Sequence, residues 1–377
     1  MILKYSYKGQ IEKDPWEFTT DTFDRINLFV GISGSGKSRF LNLLFNMARS
    51  VSKSLPFSHG KWEIEFLIDD VQYRWELNVN NKEEPQPFIE HEKLTLTSNE
   101  DVVILIDRNR ESFLFKGTKL PKLPRNKPGI ALLNEEESIL PIYNHFTHIQ
   151  RRLFYESGLR DAMSYEAVPL HIIENIRKEK NIELIWKQEL TVNTKMFLMK
   201  ELYPELYDIA INNFINIFPF IKQCDVKATR ARGVPIAPDS LMVTFCIKEK
   251  GIQNWLNLAD LSSGMQKVLL IITDILLLPR NSTYIIDEYE NSLGINAIDF
   301  LPDFLITYAR KESQFFITTH HPYLINSMPI EYWRIFHREG SSVVVKNGSE
   351  LKERYGKSKQ KAFVQLINDP LYTGNEL

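Results

Sequence analysis

Three short, mainly apolar runs predict buried strands of an α/β sheet, and each leads into glycine, carboxylate or histidine residues. They are Ile26–Val30, Thr283–Ile286 and Phe315–Thr318. Continuous apolar runs of about four to eight residues are typical of strands covered on both faces. After the first run, apolar residues recur at helical spacing from Phe40 to Ala48, so this strand leads through a short connection into a helix.

A second pattern, the alternation of apolar and polar residues, predicts antiparallel strands elsewhere in the chain. Trp62–Ile68 and Val71–Leu77 alternate on either side of Asp69-Asp70, which predicts a β-hairpin. Helical spacing returns over Glu135–Tyr155 and Leu170–Ile221. The other predicted elements are further alternation over 88–117, a loop marked by Pro121, Pro124 and Pro128, a strand over 239–247, a hairpin over Tyr332–Val345 and a helix over Leu351–Ile367.

The connection after the first apolar run has the sequence of a phosphate-binding loop. Gly31-Ile32-Ser33-Gly34-Ser35-Gly36-Lys37-Ser38 fits G-x-x-x-x-G-K-[ST] between a predicted strand and a predicted helix. Glycines let backbone N–H groups close around phosphate oxygens, and the helix N-terminus adds partial positive charge. Lys37 is predicted to hold the β- and γ-phosphates of ATP, and the Ser38 hydroxyl to bind Mg²⁺. The predicted nucleotide contacts in this loop are Gly31, Ser33, Gly34, Ser35, Gly36, Lys37, Ser38 and Arg39.

The second half of the chain carries two further motifs. Ser262-Ser263-Gly264 opens a long apolar run that ends at Leu278, and such a helix N-terminus can bind an anion. The strand after it ends in Asp287 and Glu288, at the edge of a sheet where ligands bind in open α/β folds. Asp287 suits Mg²⁺ coordination, and Glu288 suits polarisation of an attacking water. The residues alone leave open an ordinary buried helix capped by Ser262 and a solvent-exposed strand end.

In this order the motifs resemble the ATPase heads of ABC type. RecA-like and AAA+ ATPases lack a signature helix just ahead of the Asp-Glu strand. The segments Ile-Asp-Glu-Tyr-Glu-Asn-Ser-Leu (286–293) and Ile-Thr-Thr-His-His-Pro-Tyr-Leu-Ile-Asn (317–326) look like the SMC/RecF/OLD clade rather than transporters. The resemblance covers residues 1–50 and 255–330, and the segment from Phe88 to Arg108 looks like the β-lobe of OLD-type heads.

The resemblance implies a role for each matching residue. Asp287 would be the magnesium carboxylate, Glu288 the catalytic base and His320 the switch histidine that senses the γ-phosphate. Ser263 and Gly264 would contact ATP held by a second subunit, and 291–293 would form the D-loop at that interface. The glutamine loop has no clear equivalent; Gln150 is the candidate by position. His321 follows directly on His320, which leaves open which histidine points into the site.

The resemblance also implies a domain organisation. Residues 1–155 and 223–345 would form a P-loop ATPase head with an antiparallel β-lobe within 1–130. Residues 156–222 would be a helical insertion and 346–377 a helical tail. The insertion is short and lacks sustained heptads, so a compact head is predicted, not a long coiled-coil arm. The tail shows no metal-binding carboxylate pattern, so no intrinsic nuclease is expected.

Composition and charge narrow the function class. The chain has 377 residues, 43% of them apolar and 25% charged, which is typical of a globular protein. Its two cysteines form neither a disulfide framework nor a metal-binding pattern. Met1–Tyr7 predicts a strand rather than a signal peptide, and Val268–Leu278 is too short to span a bilayer, so a cytoplasmic protein without a membrane domain is expected.

The net charge of −2 gives no overall nucleic-acid footprint, although basic residues cluster at 150–152, 227–232 and 352–361. Two functions therefore stay open. The first is an ATP-hydrolysing switch that dimerises through ATP-sandwiched heads and controls a separate effector nuclease or toxin, as in bacterial anti-phage defence of the OLD type. The second is a RecF-like repair ATPase that acts directly on DNA. A scaffold that never hydrolyses ATP is disfavoured by Glu288.

Overall fold

The computed structural model describes residues 1–9, 15–53, 59–80, 87–98, 101–152, 166–187, 190–230, 239–291, 293–308, 312–351 and 364. The fold is α/β, as predicted. The chain divides into two compact units. The first contains Met1–Arg152, Asn281–Tyr289 and Lys311–Leu377, and the second contains Leu153–Arg280 and Glu290–Arg310.

The strands of the described residues, in chain order, are β1 (Ile2–Lys8), β2 (Glu17–Thr20), β3 (Ile26–Val30), β4 (Gly60–Ile68), β5 (Val71–Asn80), β6 (Phe88–Ser98), β7 (Asp101–Arg108), β8 (Phe113–Phe115), β9 (Thr118–Lys119), β10 (Ile149–Arg152), β11 (Glu166–Pro169), β12 (Ile221–Arg230), β13 (Ser240–Glu249), β14 (Trp255–Asn257), β15 (Thr283–Ile286), β16 (Gln314–Thr318), β17 (Trp333–Glu339) and β18 (Ser342–Asn347).

The helices of the described residues are α1 (Lys37–Lys53), α2 (Gly129–Leu132), α3 (Leu140–Thr147), α4 (Leu170–Glu179), α5 (Ile182–Lys187), α6 (Val192–Leu202), α7 (Pro204–Ile217), α8 (Ser263–Leu277), α9 (Ile295–Tyr308) and α10 (Pro322–Ser327). Short 3₁₀ turns occur at Leu258–Asp260, Ile330–Tyr332 and Gly348–Leu351. No helix in the described part of the chain is long and apolar enough to cross a membrane.

One sheet runs through the first unit. In the described part of the chain its strand order is β10-β15-β16-β3-β17-β18-β2-β1-β4-β5-β6-β7-β8-β9. The first five strands are parallel neighbours, whereas β4 to β9 form an antiparallel meander. The predicted hairpins β4–β5 and β17–β18 are confirmed, as is the alternation after residue 88.

The parallel end of the sheet is buried on both faces, as its apolar runs predicted. Strands β3, β15 and β16 are buried at every position. The ring of Phe29 lies 5.4 Å from that of Phe40 on α1 and 4.8 Å from that of Phe336 on β17. Burying one such aromatic side chain stabilises a fold by about 1.5–3 kcal/mol. Asn27 Nδ2 on β3 donates to Phe315 O on β16, across 288 residues of chain.

The antiparallel end contains a buried ion pair. The Glu92 carboxylate on β6 is fully buried, accepts hydrogen bonds from Gly129 N at 2.8 Å and Trp75 Nε1 at 3.1 Å, and lies 3.8 Å from the Arg108 guanidinium. Arg108 also donates to the carbonyl of Pro124 at 2.6 Å. The pair thereby fastens the proline-rich loop after β9 to the meander. Burial raises the pKa of Glu92 and lowers that of Arg108.

The second unit packs helices α4 to α9 with a small sheet in which β13 pairs with β11, β12 and β14. Helices α4 to α7 confirm the helical spacing predicted from Leu170 onward. Helix α8 is buried from Val268 to its end, and there Asp274 accepts a 2.8 Å hydrogen bond from Lys195 on α6. Both side chains of this ion pair are buried.

Two segments differ from the prediction. Helix α3 ends at Thr147, and Ile149–Arg152 is strand β10, so the helix predicted over Glu135–Tyr155 is wrong in its second half. Tertiary pairing with β15 decides this conformation. Strand β12 had no counterpart in the sequence prediction, because its polar residues alternate poorly with apolar ones. The 231–238 loop, the basic cluster at 352–361 and most of the predicted tail helix lie outside the described residues.

Candidate nucleotide site

The phosphate-binding loop lies between the end of β3 and the start of α1, as its sequence predicted. Gly34 and Gly36 have φ angles of 82° and 98°, a left-handed region that favours glycine. A Cβ atom at Gly36 would also approach the Trp16 ring to 3.3 Å. The first N–H groups of α1 have no acceptor within the helix, which makes this end of the helix suitable for an anion.

Lys37 is held inside the loop by the loop's own carbonyl groups. Its Nζ atom donates to Gly31 O at 2.7 Å, to Ile32 O at 3.0 Å and to Ser35 Oγ at 3.3 Å. The residue is only 4% exposed. These acceptors are neutral, so the lysine charge remains available to an anion in the loop, as triphosphate binding requires.

An arginine and a tryptophan that the sequence pattern did not identify, Arg338 and Trp16, border the loop beside the predicted contact Arg39. Arg338, near the end of β17, donates to Gly34 O at 2.8 Å, and its guanidinium lies 4.3 Å from the centre of the Trp16 ring. Arg39 lies 5.0 Å from the same ring. Because β17 pairs in parallel with β3, residues beyond their paired segment come to lie beside the loop. Only this pairing, which no local motif encodes, could have indicated Arg338.

The structure brings together two predicted magnesium ligands that are 249 residues apart. Ser38 Oγ lies 3.3 Å from Asp287 Oδ1, and the hydroxyl of Thr318 donates to the same carboxylate oxygen at 2.7 Å. Asp287 follows β15, Thr318 ends β16, and Ser38 lies in the first turn of α1 after β3, so the order β15-β16-β3 explains the approach. A hydroxyl and a carboxylate at this distance fit one Mg²⁺ ion whose other ligands are water and phosphate oxygens.

Asp287 also has a cationic partner that sequence reasoning missed. The Arg151 guanidinium lies 2.5 Å from Asp287 Oδ2 and also donates to Asn42 Oδ1 on α1. The side chains of Arg151 and Asp287 are only 5% and 11% exposed. Sequence reasoning selected the neighbouring Gln150, whose backbone pairs with Tyr284. Successive residues of a strand point to opposite faces, so only one of the two can face Asp287.

Glu288 has a strained backbone directly after β15. Its φ angle is 50°, its side chain is exposed, and its N–H donates to Thr318 Oγ1 at 2.7 Å. The next residue, Tyr289, donates its N–H to Thr318 O at 3.0 Å. A left-handed conformation costs a residue other than glycine about 1–2 kcal/mol. Strain of this kind is often found at functional sites, where the surrounding contacts maintain it.

Two histidines follow β16. His320 is exposed, whereas His321 is partly buried and donates its N–H to Thr319 Oγ1 at 3.0 Å. His320 thus lies two residues after Thr318, the last residue of β16. The switch role of His320 stays a prediction.

The signature motif begins helix α8 in the second unit. Ser262 is the N-cap and accepts a 3.3 Å hydrogen bond from Met265 N, while Ser263 is exposed and Gly264 is partly buried. The buried Lys267, one turn into α8, donates to Asn291 O at 2.7 Å. This bond fixes the start of the predicted D-loop to the signature helix. Ser263 therefore lies at an exposed helix N-terminus, and Ser262 has the capping role that was the alternative for this motif.

Comparison with known proteins agrees with the predicted class. Residues 173–326 match the family described as "AAA domain, putative AbiEii toxin, Type IV TA system". This range includes the signature helix, the Asp-Glu strand and the strand that precedes His320. No curated protein matches the chain.

Among solved structures, the chain is similar to the SmcHead bound to the C-winged helix domain of ScpA, with 14% identity and a TM-score of 0.47. The match covers 92% of this chain and 96% of that chain. It is also similar to the SMC head domain from Thermotoga maritima, with 12% identity and a TM-score of 0.40, over 92% of this chain and 98% of that one.

The family match over residues 173–326 agrees with the ATPase class predicted from the sequence.

Proposed function

We propose that this protein binds ATP with Mg²⁺ and hydrolyses it as a switch that pairs two heads and controls a separate effector. The observation that carries the proposal is the 3.3 Å approach of Ser38 Oγ to Asp287 Oδ1, directly beside the loop that encloses Lys37. A buried ammonium and an adjacent hydroxyl–carboxylate pair are what a magnesium–triphosphate complex requires.

The residues of the loop would bind the nucleotide in defined roles. Lys37 contacts the β- and γ-phosphates, the N–H groups of the loop and of the first turn of α1 contact phosphate oxygens, and Arg39 adds positive charge nearby. Ser38 and Asp287 hold Mg²⁺. When bound, the metal ion neutralises charge on the phosphate oxygens during hydrolysis.

Glu288 is proposed as the general base that orients and deprotonates the attacking water. Its left-handed backbone and the hydrogen bond of its N–H to Thr318 set the direction of its side chain after β15. His320 would contact the γ-phosphate from the end of β16. A general base contributes roughly a hundredfold to ten-thousandfold to a rate.

Two heads would complete each site. The exposed Ser263 and the partly buried Gly264 at the start of α8 are available for an anion brought by another subunit. In a two-fold pair of identical subunits, each subunit would supply this contact to the other. We therefore propose a homodimer, or a higher homo-oligomer built from such pairs, with ATP between the heads.

The effector and the biological setting are inferred from the clade and the family. The family description refers to a toxin–antitoxin system, which supports a partner-controlling role in bacterial anti-phage defence of the OLD type. We propose that the nuclease or toxin activity belongs to a separate chain. This step from an OLD-type ATPase head to a role in defence is an analogy at the level of the fold.

The direct test is phosphate release from ATP by purified wild type, Lys37→Ala, Glu288→Gln and the matched carboxylate control Glu290→Gln. Lys37→Ala should lose ATP binding, whereas Glu288→Gln should bind ATP normally and turn over about a hundredfold or more slowly. Glu290→Gln should resemble wild type. Wild-type turnover in Glu288→Gln would remove the role proposed for Glu288. Plasmid and single-stranded DNA should stay intact in the same reactions.

A second function, direct action on DNA, is favoured by one observation on β12. Lys222, Lys227 and Arg230 are exposed on this strand, and Lys227 Nζ lies 4.3 Å from the centre of the Trp255 ring. Basic residues next to an aromatic ring are suited to single-stranded nucleic acid. DNA-stimulated ATP hydrolysis that weakens in Lys227→Ala, but not in the exposed control Lys250→Ala, would favour this function over effector control.

A further inference from the structure

Arg151 is a residue of the candidate site that neither the motifs nor the resemblance assigns. It belongs to β10, which pairs in parallel with β15, the strand that leads to Asp287. Its guanidinium contacts Asp287 Oδ2 at 2.5 Å and Asn42 Oδ1, and its side chain is 5% exposed. Arg151 therefore connects α1 to the Asp287 carboxylate through two hydrogen bonds.

The hydrogen bonds to Asp287 use both oxygens of its carboxylate. Oδ1 accepts from Thr318 and lies close to Ser38, while Oδ2 faces Arg151. A magnesium ion held by Ser38 and Asp287 must share this carboxylate with the guanidinium. Two cations on one small, largely buried anion repel each other strongly, because the surrounding protein screens charge less than water does.

A purely structural clamp or a phosphate contact would also place an arginine here. Against a phosphate contact, both terminal nitrogen atoms of Arg151 already have protein acceptors, and one of these acceptors carries a full negative charge. Against a purely structural role, the acceptor is the one carboxylate in this part of the site that fits Mg²⁺. The contact with Arg151 therefore weakens the binding of Mg²⁺ to Asp287, which an ion pair elsewhere in the protein would not do.

We propose that Arg151 competes with Mg²⁺ for Asp287 and so raises the magnesium concentration that nucleotide loading requires. Arg151 is thus a positioning residue that acts through Asp287, and Asn42 holds it in place. The inference rests on the proposed ATP site and adds its regulation: an internal cation and the metal ion compete for the charge of one carboxylate.

The test compares wild type with Arg151→Gln, Asn42→Ala and the neighbouring control Arg152→Gln. A fluorescent ATP analogue is titrated at fixed concentration with Mg²⁺, and the half-saturating Mg²⁺ concentration is measured. Arg151→Gln should lower it about tenfold, because coupling between close, poorly solvated charges is at least of this order. Asn42→Ala should lower it less, since the guanidinium keeps Asp287 but loses its second anchor. Arg152→Gln should match wild type.

A second titration uses Mn²⁺ alone, followed by its electron paramagnetic resonance signal, on nucleotide-free protein. Arg151→Gln should bind Mn²⁺ more tightly than wild type. Equal or weaker metal binding by Arg151→Gln in both titrations would overturn the inference, and loss of metal-free ATP binding would assign Arg151 to phosphate instead. If the wild type binds no ATP at any Mg²⁺ concentration, the proposed function is refuted. The Mn²⁺ titration would still show whether Arg151 competes with a metal ion for Asp287. Thermal unfolding of each variant identifies any that is misfolded, and Asn42→Ala then carries the test.

Discussion

Thr318 Oγ1 donates a 2.7 Å hydrogen bond to Asp287 Oδ1 and accepts a 2.7 Å hydrogen bond from the N–H of the next residue, Glu288. One hydroxyl at the end of β16 therefore orients both carboxylate residues that follow β15. No other side chain in the described part of the site makes hydrogen bonds to both of them. The alignment of the proposed metal ligand and the proposed base depends on this threonine.

Thr318→Val should weaken magnesium-dependent ATP binding and reduce turnover by about tenfold or more, because it removes a hydrogen bond to a charged group and leaves the Glu288 N–H without its acceptor. Thr318→Ser keeps the hydroxyl and should stay within about threefold of wild type, since a lost methyl group disturbs only local packing. The check is phosphate release measured at several Mg²⁺ concentrations. Equal activity of the valine and serine variants would show that the hydroxyl does not orient the carboxylates.

Ser263→Arg should abolish hydrolysis while leaving ATP binding by a single head intact. The substitution adds bulk and charge at the exposed start of α8, where the second subunit's γ-phosphate is proposed to lie. Gln253→Arg adds the same charge at another exposed position of the second unit and should behave as wild type. Binding is measured with a fluorescent ATP analogue, turnover by phosphate release, and pairing by size-exclusion chromatography of a Glu288→Gln background with ATP. Loss of binding together with turnover would mean that the signature acts within its own head.

The buried Glu92 should make stability depend on pH in a direction opposite to that of an exposed ion pair. Burial raises its pKa above the ordinary value of 4.5. Between these two pKa values the folded protein keeps a proton that the unfolded chain releases, so the free energy of unfolding falls as pH rises through this window. Below about pH 4 both states are protonated, and this contribution is fully present.

The measurement for Glu92 is urea unfolding of wild type and Glu92→Gln from pH 4 to pH 8. The wild-type free energy, taken relative to that of Glu92→Gln, should decrease as pH rises, because glutamine has no proton to release. A relative free energy that stays constant or rises across this range would contradict the raised pKa. Asp70→Asn, at the exposed β4–β5 turn, serves as a control for general effects of charge removal.

Cys224 should react slowly with alkylating reagents while the protein is folded. Burial raises the pKa of its thiol to about 12, so at pH 8 only about one molecule in ten thousand carries the reactive thiolate. In a Cys246→Ser background, mass spectrometry after iodoacetamide treatment should find Cys224 unmodified until denaturant is added. Rapid modification without denaturant would show that the thiol is accessible and ionised in the folded state.

The sequence predicted those parts of the site that are encoded locally. The phosphate loop and the Asp-Glu strand each lie within about ten consecutive residues, and the spacing of their side chains follows from strand and helix geometry. Arg151 and Thr318 could not be found in this way. Their roles arise only when β10 pairs with β15 and when β16 enters between β15 and β3.

The same reasoning explains the two errors in secondary structure. The residues of β10 include Gln150, Arg151 and Arg152, which have no strong strand preference, and a neighbouring helix gave them a helical context. Strand β12 is rich in exposed polar residues and is fixed by its ladder with β13. Both strands depend on partners distant in sequence, which a local pattern does not contain.

The contact between Asn27 and Phe315 has a consequence for how the protein is made. Their strands carry the phosphate loop and Thr318, and the hydrogen bond that joins them closes a loop of 288 residues. Contacts of such long range form late, because the entropy of the intervening chain must be lost first. While the ribosome is still synthesising the protein, the emerging chain lacks Asp287 and Thr318, so the proposed magnesium site can form only after synthesis has passed β16.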